Sequence, residues 1–216
     1  MMKEGSDIVE KYLFLLLYSD GVSNQQNEPI RGDTWLQKEM FLIFRNIKTP
    51  KEEFQPDFYG PFSEIVDEYS EQLEISGYIT RTAKGMKLTP RGEQIASKIW
   101  QEENEESKKT IKDVKSFFND MTIDELLVFI YFTYEKFAEQ SEVKDEIERK
   151  KVNASISLFK RHKISLKCAA NIAKIPLQQY IMLLQNLKIP AYEYTDEELR
   201  EELASRGADS SQHVSH

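Results

Sequence analysis

Nine cations fall between Arg149 and Tyr192 with no Asp or Glu among them: Arg149, Lys150, Lys151, Lys160, Arg161, Lys163, Lys167, Lys174 and Lys188. Residues of this type, unopposed, neutralise phosphates, and most affinity for nucleic acid comes from that neutralisation. Lys160, Arg161, Lys163 and Lys167 are the candidate phosphate contacts. Gln178 and Gln179, with Lys174 near them, are the candidates for base edges, because Gln pairs bidentately with adenine. The opposing reading of Gln178 and Gln179 is the solvent-facing start of a helix. Bond-making chemistry has no comparable set of residues. The histidines are His162, His213 and His216, and no Cys or His cluster has metal-ligand spacing. There is no Gly-rich phosphate loop and no Gly-x-Ser-x-Gly. The single Cys168 reads as a structural thiol on a helix rather than a nucleophile. No catalytic residue, metal or cofactor is therefore expected, and the protein is not expected to be an enzyme.

The elements that must position those residues read as helix, tight turn, helix. Ser165 is a suitable N-cap for the first helix, and Ala169 and Ala170 permit a close helix crossing. Ile172, Ile175, Tyr180, Ile181, Leu183 and Leu184 form an apolar seam. Pro176 suits the start of the second helix, Leu177 to Leu187, where a missing N–H costs nothing. This is a helix-turn-helix pattern with its second helix in the recognition position. Lys174 stands where many such turns carry Gly, a position of positive φ. A plain pair of packed helices is the alternative.

Charge is segregated along the 216 residues, whose net charge is −8. Residues 1–148 hold 18 basic and 30 acidic residues, 149–192 carry +9, and 193–216 hold 2 basic and 7 acidic residues. The acidic part opens with a helix to about Ser19, capped by Ser6 or Asp7 and apolar nearly all round. A loop over Gly21–Gly32 leads to a second helix, Thr34 to Asn46, with Asp33 as its expected cap. Lys48 to Pro61 reads as a loop. Ser63 caps a third helix ending at Gly77, and Tyr78–Thr82 and Met86–Thr89 form a hairpin. A fourth helix starts at Pro90. Helices plus one β-hairpin wing make a winged helix. Its third helix carries Glu64, Asp67, Glu68, Glu71 and Glu74 and no cation, so it should repel phosphates. Arg81, Lys84 and Lys87 on the wing read as a solvated hairpin. The first domain is accordingly expected to contact protein.

Leu36-Gln37-Lys38, Tyr59-Gly60-Pro61-Phe62-Ser63 and Leu88-Thr89-Pro90-Arg91-Gly92 resemble the winged-helix family of YwgA-like proteins and Panacea-type antitoxin domains. That resemblance implies a module working through protein partners. Leu158 to Leu166, Ala169 to Ala173, Tyr180 to Leu184, and Ile189 to Tyr194 leading into Thr195 to Leu199 resemble an antitoxin-like prokaryotic helix-turn-helix family. This second resemblance implies a regulator or antitoxin.

Thr122 and Glu125 have capping-box spacing before Leu126–Phe137, the most apolar helix of the chain. That helix could serve as C-terminal core, dimer seam or domain dock. The organisation expected is a mainly α protein: winged helix 1–104, connecting helices 105–152, helix-turn-helix 153–204 and a disordered tail 205–216. No apolar run approaches the roughly 20 residues of a membrane span, so a cytoplasmic protein without membrane contact is expected. Two function classes stay open. One is a DNA-binding regulator whose first domain binds a protein partner or self-associates. The other is a pure protein-interaction module, toxin-neutralising or adaptor, whose basic surface meets an acidic partner.

Overall fold

The structure, a computed structural model, describes residues 4–47, 54–137 and 143–191. The expected tail, 205–216, lies outside those residues, as does 192–204. The chain divides into two compact units between Lys151 and Val152. The described residues are mainly α-helical.

In the first unit α1 (Glu4–Tyr18) is the central helix. Val9, Leu13, Leu15, Leu16 and Leu17 are fully buried on all its sides, because α3, α4 and α5 pack around it. The helix begins upstream of Ser6 and Asp7, the expected caps. Helix α2 (Asp33–Asn46) follows, capped by extended Gly32 rather than by the Asp33 side chain. Asp33 instead accepts a hydrogen bond from Arg81 at 3.1 Å, so an ion pair has taken the carboxylate that a cap would have used. The buried side of α2 includes Leu36, Met40, Phe41, Ile43 and Phe44, while Trp35 is only half-buried.

The segment read as a loop contains a hairpin, β1 (Gln55–Asp57) and β2 (Gly60–Phe62). Pro56 and Pro61 face each other across it. Proline cannot donate to a ladder and argues against a strand in sequence, but a two-stranded ribbon leaves both edges open for it. Phe41 holds this region to α2, with the rings of Phe54, Tyr134 and Phe137 edge-on at 5.0–5.4 Å. Gln37 fixes the exit of β2 by bonding both backbone groups of Ser63. Ser63 then caps α3 (Glu64–Ile75), accepting from the Val66 N–H.

The wing is β3 (Ile79–Thr82) against β4 (Gly85–Leu88). Ile30 adds a third rung by exchanging two backbone hydrogen bonds with Met86, at 2.8 and 2.7 Å. Gly85 is required there: its φ is +121°, and a Cβ would stand 2.2 Å from the Ile30 carbonyl oxygen. Thr89 caps α4 (Pro90–Glu102). After a break at Glu103 and Asn104, α5 (Glu105–Phe118) runs beside α1 and α2. Its Lys115 is fully buried and donates to the carbonyls of Leu16, Leu17 and Ser19 at 2.8–3.1 Å. One ammonium thus meets two orphan acceptors in the last turn of α1, sharing Leu16 with Ser19 Oγ, and the Ser19 carbonyl just beyond it.

Thr122 and Glu125 form the expected capping box of α6 (Ile123–Thr133), worth about 1 kcal/mol. Of the roles open to α6, the structure shows core packing, and in the first unit: Phe129 meets Phe117 and Phe118. A 3-10 turn, Glu135–Phe137, closes it. Helix α7 (Lys144–Lys160) carries the boundary between the units. The second unit continues with α8 (Leu166–Ala173) and α9 (Leu177–Asn186).

Candidate nucleic-acid interface

The second unit is built from three helices that end alike. After α7, the His162 N–H bonds the Phe159 carbonyl and the Lys163 N–H bonds that of Leu158. Lys174 and Ile175 repeat the pattern on Asn171 and Ala170, and Lys188 and Ile189 repeat it on Gln185 and Leu184. Each is a paired 5→2 and 6→1 closure around a left-handed residue. Those residues are His162, Lys174 and Lys188, with φ of 54°, 54° and 56°. Glycine is the usual occupant. A lysine there incurs backbone strain but places a cation at the negative end of the helix dipole. The sequence pattern located the Lys174 turn correctly; the His162 and Lys188 turns had no Gly or Asn to announce them.

Ser165 caps α8, accepting from the Cys168 N–H at 3.2 Å. Ala169, Ala170, Ile172 and Ala173 are buried against α9, where Leu177, Tyr180 and Leu184 are buried in turn. Ile175, Ile181 and Leu183, expected in the seam, are half-buried, and Leu177 takes the inner position instead. Pro176 stands at the N-cap of α9 rather than inside it. Tyr180 reaches α7: its hydroxyl lies 3.0 Å from Ser155 Oγ. Ser155 donates to the Val152 carbonyl at 2.8 Å, so Tyr180 is the donor in the pair. Both residues are fully buried, and burial pushes the Tyr180 phenol up. This bond sets how α9 lies on α7. Burial also pushes the half-buried Cys168 thiol up, which lowers its reactivity.

The candidate residues fall in five places. Lys160 is exposed at the end of α7, and Arg161 and Lys163 are half-buried in the connection. Lys167 is exposed in the first turn of α8, and Lys174 at the turn. Gln178 and Gln179 are exposed in the first turn of α9. That outer face extends further than the sequence suggested. Met182, Gln185 and Asn186 are exposed on it, at helical spacing from the two glutamines. The spacing i, i+4, i+7 from Gln178 was the available signal. Between Val152 and Ala191 stand six Lys or Arg and no carboxylate.

The first unit presents the opposite chemistry. Glu64, Glu68 and Glu71 are exposed on α3. Arg81, the wing's arginine, is bound by Asp33, Glu74 and Ser70, and the two carboxylates raise its pKa despite partial burial. Two buried charged residues on α2 went unread in the sequence. Lys38 donates to the Pro61 carbonyl at 3.2 Å, and burial lowers its pKa to about 8. Glu39 is fully buried with neither carboxyl oxygen meeting a donor. Burial raises it to about 8, against the pull of Lys115. No group of His, Cys, Asp and Glu able to hold a metal occurs among the described residues.

Comparison with known proteins bears on the second unit. An uncharacterised protein family (UPF0175) matches residues 135–207. A UPF0175 protein of Aeropyrum pernix is 42% identical over 59 residues, covering 27% of this chain and 75% of the relative. The chain belongs to the UPF0175 family. The UPF0175 match takes in α7, α8 and α9 together with residues 192–207, and leaves residues 1–134 outside it. No solved structure matches the chain. No helix among the described residues is long and apolar enough to cross a membrane.

Proposed function

We propose that this protein is a DNA-binding regulator of antitoxin-like character, acting in the cytoplasm by binding rather than catalysis. The observation that carries this reading is a helix-turn-helix inside a stretch with six cations and no carboxylate. Lys160, Arg161, Lys163 and Lys167 contact phosphates. Gln178 and Gln179 lie near base edges, with Lys174 beside them, as the exposed polar face of α9 favours. The winged helix serves protein contacts, in keeping with its resemblance to YwgA-like and Panacea-type domains. Its acidic α3 and engaged Arg81 support that division of labour.

The test is fluorescence anisotropy of the full chain against duplex from upstream of its own gene, at two salt concentrations. Replacing Lys160 and Arg161 by Ala should weaken binding to all sequences alike and reduce the salt slope by roughly 2, since each phosphate contact contributes about 0.9. Unchanged affinity and slope would remove both residues from the contact set.

A second reading, a protein-interaction module without DNA, is favoured by the five carboxylates of α3. Absence of DNA binding at low salt, with a stoichiometric partner copurifying, would establish it.

A further inference from the structure

The outer face of α3 mixes carboxylates with bare apolar side chains. Val66, Ser70 and Leu73 turn to the core and are buried. On the opposite side Glu64, Glu68, Glu71 and Ile75 follow at spacings of four, three and four, all exposed. Ile75 is 86% exposed, and Ile65, at the flank of the same face, is 40% exposed. At the N-terminal end of the helix opens a groove of about 410 Å³, lined by Ile65 and Phe62 with Pro56 and Asp57 of β1. Apolar surface is thus on offer at both ends of α3, with carboxylates between.

The negative field here is dense. Burial, and then the charges of Glu71 and Asp33, push the Asp67 carboxyl up against the pull of Arg81, and Glu68 adds to them. Arg81 itself is taken up by Asp33 and Glu74. Such a field selects among occupants. It repels DNA phosphates and anionic lipid alike. It repels the same face of a second copy, because a two-fold contact would set carboxylate against carboxylate. A cationic partner is drawn in and oriented by it.

We propose that the outer face of α3 docks a cationic amphipathic helix of a partner protein, its Lys or Arg side chains facing Glu64, Glu68 and Glu71 and its apolar side chains covering Ile75 and entering the groove beside Ile65. A helix fits because the docking residues themselves recur at helical spacing over about 18 Å. This docking presupposes that the winged helix works through protein contacts, and gives that contact a place and a partner chemistry.

Anisotropy of the full chain with a labelled Leu/Lys peptide of about four helical turns, amphipathic by design, tests the surface. Saturable binding is expected. Glu64→Gln/Glu68→Gln/Glu71→Gln should raise Kd at least ~10-fold, and Ile75→Ser at least ~5-fold. Every substituted side chain is exposed, so the fold is retained. A scrambled peptide of the same composition should bind the wild type as weakly as the variants bind the original. Absence of saturable binding, equal binding of the scrambled peptide, or binding undiminished in either variant overturns the proposal. Self-association of the peptide-free wild type that the triple variant abolishes assigns the face to the cationic stretch of a second copy and overturns it too. A stoichiometric protein that copurifies with wild type and triple variant alike would keep the winged helix a protein-contacting module and overturn only the α3 face. No copurifying protein and no peptide binding would remove both.

Discussion

Lys174 shows how one side chain can serve two ends that pull apart. Its left-handed backbone costs roughly 1 kcal/mol relative to Gly. Lys174→Gly should therefore raise the denaturation midpoint of the second unit while lowering DNA affinity, and chemical denaturation beside anisotropy reads both. Equal loss of stability and affinity would mean that the cation's interaction with the α8 terminus outweighs the strain. Glu39 is a residue of the other kind, invisible because a sequence reads charges as surface. Only the helices packed around α2 reveal it as interior. Its folded pKa, about 8, lies above its ordinary 4.5, so the stability it allows is full below about 4.5 and is lost as pH rises through 8. Lys115, lowered to about 8 from 10.5, acts oppositely: its contribution is full above 10.5 and lost as pH falls through 8. Glu39→Gln should match the wild type near pH 4 and exceed it by more than about 1 kcal/mol at pH 8. Parallel urea titrations across that range check the sign, and equal slopes for both proteins would refute it.

Among the elements, helices with a polar cap and a glycine stop were legible because each end is written in two or three adjacent residues. Ser63 and Gly77 around α3, Thr122 with Glu125 before α6 and Ser165 before α8 all stand at or beside their helix ends. The β1–β2 hairpin was not legible, because Pro56 and Pro61 oppose a strand locally and the rings around Phe41 that hold it come from distant positions. The placement of α9 is likewise non-local, resting on Tyr180 and Ser155, 25 residues apart. Tyr180→Phe should cost about 1 kcal/mol, the net worth of one hydrogen bond. Tyr180→Ala should cost about 3–5 kcal/mol, since it also empties a buried ring site. A thermal melt that moves equally for both variants would deny the hydrogen bond its own share.

Over the whole chain, segregation of charge was plain from sequence, and so was a winged helix ahead of a helix pair. The candidate interface was legible in its cations and first two glutamines, less so in Met182, Gln185 and Asn186. Their role as an outward face depends on which side Tyr180 and Leu184 bury. The ammonium of Lys115 carries a different message, about how the first unit is assembled. It meets Leu16 across 99 positions of chain, so the carbonyl end of the first helix is completed only when the fifth arrives. A fragment stopping at 104 would hold every element of the winged helix and still lack α5, so the Leu17 and Ser19 carbonyls would lose the Lys115 ammonium and the side of α1 that α5 covers would open to water. Such a fragment should give a broad, non-cooperative melt, whereas one ending at 137 should unfold in a single sharp transition. The fold therefore has a minimum length, and it exceeds the motif by which the winged helix is recognised.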